Sequence, residues 1–105
     1  MQEDDAPTLA QALDDDDASV RWKAAAGLIA LGRPGLESAL HLLTNHEFPS
    51  PQLKASVRHV LLGLNVDAYE SIVAPLLHAI EDHAPDEVIM VEAYKAIEAL
   101  ASTAP

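Results

Sequence analysis

Residues that interrupt helices recur at nearly even intervals along this chain: Pro7, the four aspartates at 14–17, Gly32-Arg33-Pro34-Gly35, Pro49-Ser50-Pro51, residues 65–67 and residues 82–85. Proline removes a backbone donor and clashes with the preceding turn, while glycine and clustered aspartates favour turns. Between these points lie six leucine- and alanine-rich stretches of helix length. Aromatic residues make up 4% of the chain, and no stretch alternates apolar with polar as a half-buried strand would. The spacing predicts helices over 7–13, 18–31, 35–46, 51–64, 67–82 and 86–101. With 105 residues, half of them hydrophobic, the chain has material for one core and one domain, 7–102. The acidic residues 1–6 read as a disordered, solvated end.

Local signals support these boundaries. Asp17 offers a carboxylate to the free amides opening the second helix, and its charge suits the positive end of the dipole. Ser50 before Pro51 supplies a capping hydroxyl and a residue preset near helical φ. Gly32 and Gly35 are candidates for the left-handed conformation that closes a helix, with Pro34 stopping propagation. Pro75 should kink the fifth helix or split off its first turns.

The segments also repeat. Val20-Arg21 is matched by Val57-Arg58, 37 residues on, and more weakly by Ile89-Met90, 32 beyond that. Small or apolar residues follow each anchor at the fourth and fifth positions: Ala24-Ala25, Leu61-Leu62 and Ala93-Tyr94. A leucine-rich segment precedes each. The stretch from Leu13 to Leu28, Leu-Asp-Asp-Asp-Asp-Ala-Ser-Val-Arg-Trp-Lys-Ala-Ala-Ala-Gly-Leu, resembles a HEAT repeat, closest to the short bacterial repeats of the phycobilisome-lyase-like type. The resemblance implies an all-α, right-handed superhelix (solenoid) of three HEAT-like helix pairs, about 7–33, 35–65 and 67–101, each with an outer and an inner helix. It also implies a structural ladder between neighbouring pairs, with Arg21 and Arg58 reaching turn aspartates such as Asp17. The second copy lacks the acidic turn and carries an insertion at residues 47–51, and Met90 replaces the third arginine. An irregular bundle of six helices is the alternative.

Charge narrows the function. Seventeen acidic side chains against six basic ones give a net −11, which repels phosphate backbones and anionic headgroups, so neither nucleic acid nor membrane is expected as a partner. Charges break every apolar run well short of the roughly 20 residues a membrane span needs. The acidic start, where an export signal would be basic, predicts a cytoplasmic chain. Without cysteine there is no disulfide, thiolate metal site or cysteine nucleophile. His41 and His46, like His78 and His83, are five apart, about 140° around a helix, so neither pair forms an i,i+4 metal site. The aspartates at 14–17 lack calcium-loop spacing, and no nucleophile or phosphate-loop motif occurs. No catalytic residue, cofactor or metal is expected.

A binding role remains. In a HEAT array the inner helices line the concave surface. At about 100° per residue, the positions two, six and nine after each anchor face away from the core: Trp22, Ala26 and Ile29, then His59, Gly63 and Val66, then Val91, Lys95 and Glu98. Trp22, Ala26, His59, Val91 and Lys95 are therefore the candidate partner-binding residues of a non-enzymatic scaffold that takes a protein or peptide, with the acidic chain favouring a basic one. Open apolar surface near Leu9 and Trp22 makes a homodimer through the N-terminal repeat a further expectation. The lone Phe48 is expected to fold back over the junction between repeats. The resemblance also implies an alternative as an accessory factor in chromophore attachment. The His46-Glu47 dipeptide resembles one element of a metal-dependent hydroxylase, the least favoured reading.

Overall fold

A computed structural model of the chain describes residues 6–45, 49–64 and 69–102. Its elements are α1 (Ala6–Ala12), α2 (Ala18–Leu31), α3 (Arg33–Asn45), α4 (Pro51–Gly63), α5 (Glu70–Glu81) and α6 (Asp86–Ser102), and among the described residues there is no strand. The chain is all-α. The acidic end at 1–5, His46, Glu47, Phe48 and Val66 lie outside the described residues. Ala6, read as part of that end, already belongs to α1.

The helices start and stop for local reasons. Asp17 caps α2 by accepting from the Ser19 amide at 2.8 Å and the Ser19 hydroxyl at 2.9 Å. Ser50 caps α4 by accepting from the Leu53 amide at 3.1 Å, with Pro51 in the first turn. At the α2–α3 junction only Gly32 takes positive φ, 69°. Pro34 opens α3 instead of stopping α2, because the first turn has no use for its missing amide. Gly35 is a buried residue of α3, not a cap: a Cβ there would run into the Leu28 carbonyl, so its absence lets α2 and α3 approach backbone to backbone. His83, at φ 54°, closes α5 as glycine would, and the Ala84 amide reaches back to the Ala79 carbonyl at 3.0 Å. α5 runs through Pro75 as one helix.

The first two pairs stack like on like, α1 on α3 and α2 on α4. α2 and α4 run parallel, since Trp22 meets His59 and, further along both helices, Ile29 meets Gly63. The third pair is reversed relative to this pattern. α6 lies along α3 and α5 along α4, where a repeat of the first junction would put α5 on α3 and α6 on α4. Arg33, at the start of α3, donates to the Leu100 carbonyl near the end of α6, so these helices are antiparallel. The result is two layers, α1–α3–α6 and α2–α4–α5.

Between the layers lies one core. Leu13, Leu28, Leu36, Leu40, Leu43, Leu53, Leu61, Leu76, Ile89 and Leu100 are its largest fully buried side chains, with Val57 and Val60. Small residues (Ala24, Ala25, Ala39, Ala93, Ala96) fill the close helix crossings. The buried Ser56 hydroxyl donates to the Gln52 carbonyl at 2.9 Å, and among the described residues no buried side-chain polar atom lacks a partner.

Candidate interaction face

Parallel packing of α2 on α4 brings two of the predicted residues into contact. Trp22 and His59 are 37 residues apart, the offset of the Val-Arg anchors. Their ring centroids are 4.7 Å apart at an interplanar angle of 71°, an edge-to-face pair. Trp22 remains 47% exposed. Ala26 is exposed one turn further along α2. Beyond it, partly buried Ile29 packs over Gly63, where a Cβ would strike the isoleucine side chain. Leu62, 43% exposed, adds to the apolar surface on α4.

Leu62 is missed by the repeat frame, which equates Leu61-Leu62 with the buried pair Ala24-Ala25. Only Leu61 is buried. The helical wheel of α4 alone places Leu62 three residues after His59, on the outer side.

Val91 and Lys95 do not join this face. Both are on α6, which packs mainly on α3 and α5 and meets α4 near its own start, where Asp86 pairs with Lys54. The reversed third pair is the cause, and it puts α5 next to α4 in that layer. The Lys95 ammonium pairs with Glu92 at 3.3 Å, within its own helix. Around it α6 exposes Val88, Val91 and Tyr94, so its outer surface is less polar than Glu92, Lys95 and Glu98 alone suggest.

The ladder is also rearranged. Arg21 stays within its own pair, donating from Nη1 to the Asp15 carbonyl at 2.7 Å. Asp17 is engaged in capping α2. Its carboxyl is held below the ordinary value mainly by the Ser19 amide, then by the Ser19 hydroxyl, with smaller help from the Val20 amide and the Arg21 charge against a small opposing desolvation. Arg58 does reach the next pair, meeting Glu81 at the end of α5 at 2.9 Å. Beside it Lys54 meets Asp86 at the start of α6 at 3.1 Å. The first and second turns are joined by Asp14, which accepts from the Ser50 hydroxyl at 2.9 Å and the Gln52 amide at 3.1 Å. The links between pairs are thus mixed polar contacts and not one arginine–aspartate series.

A groove of about 500 Å³ lies between α4 and the α5–α6 turn. Ala55, Ile80, Ala84 and Ile89 give it an apolar lining, and the Lys54–Asp86 and Arg58–Glu81 pairs stand at its rim. Among the described residues, no three histidine, aspartate or glutamate side chains converge where they could hold a metal, and no helix is long and apolar enough to cross a membrane. In comparisons with known proteins, no family model matches the chain, and no curated protein or solved structure is significantly similar to it.

Proposed function

We propose that this chain is a non-enzymatic interaction module that docks a protein or peptide on the surface shared by α2 and α4. The observation that carries this reading is the half-exposed Trp22, edge-on to His59 and bordered by Ala26, Leu62 and Gly63. Tryptophan is the side chain most enriched among residues that dominate binding, because it buries a large area at low conformational cost. Here the helix scaffold holds it in place while small neighbours leave room for a partner to close over it. Stacking of the first two pairs, α1 on α3 and α2 on α4, agrees with such a role, since stacked helix pairs present broad, rigid faces. The test is capture of the partner by wild type, Trp22→Ala and Val91→Ala, with circular dichroism to confirm folding. Removing an anchor of this kind weakens binding at least about 30-fold. The Trp22 variant should therefore lose the partner while the Val91 variant keeps it. Retention by a folded Trp22 variant would refute the proposed face.

A further inference from the structure

The charge of the two helices that form this face is opposite to that of the chain. α2 and α4 hold four of the six basic side chains, Arg21, Lys23, Lys54 and Arg58, and no acidic one, although the chain as a whole stands at −11. The acidic groups are concentrated in the turns and on α5 and α6. Resting on the reading above, we infer that the α2–α4 face takes an acidic amphipathic segment: an apolar side chain seated on Trp22, His59 and Leu62, with carboxylates directed to Lys23 and Arg58.

The position of each cation sets which carboxylate it can receive. Lys23 follows Trp22 on the exposed side of α2, and α2 itself offers it no carboxylate. Arg58 precedes His59 on the exposed side of α4, and its pairing with Glu81 is between two exposed groups. Such a surface pair contributes little, so an incoming carboxylate can share or replace Glu81 at small cost. Lys54 turns toward the α5–α6 side and is occupied by Asp86, and Arg21 is tied to the Asp15 carbonyl. Apolar residues therefore form the centre of the face, with Lys23 beside it on α2 and Arg58 on α4, where it borders both this face and the α4–α5 groove. Apart from Glu81 beside Arg58 and the exposed aspartates that open α2, the acidic groups reach a basic segment only at long range, and salt screens that attraction over about 8 Å at physiological ionic strength. Local charge sets which partner docks; net charge acts mainly on how fast partners meet.

The experiment selects a phage-displayed library of random peptides against wild type and keeps the clones that Trp22→Ala fails to bind. The expected clones combine an aromatic or aliphatic residue with several aspartates or glutamates. For the strongest, tryptophan emission gives the affinity directly, because Trp22 is the chain's one tryptophan. Glutamate-to-glutamine changes in the peptide, or Lys23→Glu with Arg58→Glu in the protein, should each weaken binding at least tenfold, and added salt should do the same. Trp22-dependent clones that are neutral or basic would overturn the inference and leave the docking face standing. If no clone depends on Trp22, the face falls as well. If light scattering shows a dimer that Trp22→Ala dissolves, the occupant is a second copy of the chain and the inference is wrong.

Discussion

Asp17 shows how much one side chain decides at the first turn of α2. It accepts two hydrogen bonds from Ser19, and these hold its carboxyl below the value of 3.8 that it has in an unstructured chain. A carboxyl whose pKa is lower folded than unfolded stabilises the fold above its unfolded pKa and loses that contribution as pH falls through the folded value. The substitution Asp17→Asn keeps an acceptor at the cap but leaves no charge to lose. Thermal melts should thus find the variant less stable than wild type at neutral pH, with the gap closing as pH drops below the ordinary carboxylate range. A gap that stays constant with pH would show that the charge contributes nothing. This cap was legible in the sequence because an aspartate immediately before an apolar helical run has few other uses. The role of His83 was not legible. Its positive φ arises from the way α5 closes, and histidine, though commoner at positive φ than most side chains, marks that conformation far less distinctly than glycine does.

Between elements, two glycines that look alike in sequence have different consequences. At Gly35 a methyl group would meet the Leu28 backbone carbonyl, which cannot move without separating α2 from α3. At Gly63 the methyl would meet the Ile29 side chain and no backbone atom, so the isoleucine must shift but the two helices need not separate. Gly35→Ala is expected to cost about 1–3 kcal/mol or more through overpacking, and Gly63→Ala less than Gly35→Ala because only a side chain has to give way. Urea unfolding of the two variants checks the order, and equal losses would contradict the account of the α2–α3 contact. In sequence Gly35 reads as a turn residue, because Gly-x-Pro-Gly is a turn pattern. In the fold, Gly32 alone makes the turn, which allows α3 to begin at Arg33. Other boundaries read well wherever a cap and a proline coincide, as at Ser50-Pro51.

For the whole molecule, helix number and the pairing of neighbours followed from the breakers, while the placement of the last pair did not. Leucine and alanine periodicity says that α5 and α6 each hide one side. It does not say which of them meets α3. The arrangement adopted is marked by contacts between distant residues: Arg33 with the Leu100 carbonyl, Lys54 with Asp86 and Arg58 with Glu81. The weak third copy of the repeat, with Met90 where arginine stands in the others, is the one trace of it in the sequence. Its consequence is functional, because it leaves Trp22, Ala26 and His59 on the α2–α4 surface and takes Val91 and Lys95 away with α6. The central claim is that the former surface binds and the latter does not. Placing a photo-crosslinking phenylalanine derivative at positions 22, 62, 91 and 94 in turn tests it most directly. A covalent adduct with the same partner is expected from positions 22 and 62 and none from 91 or 94. Adducts from 91 and 94 alone would contradict that claim.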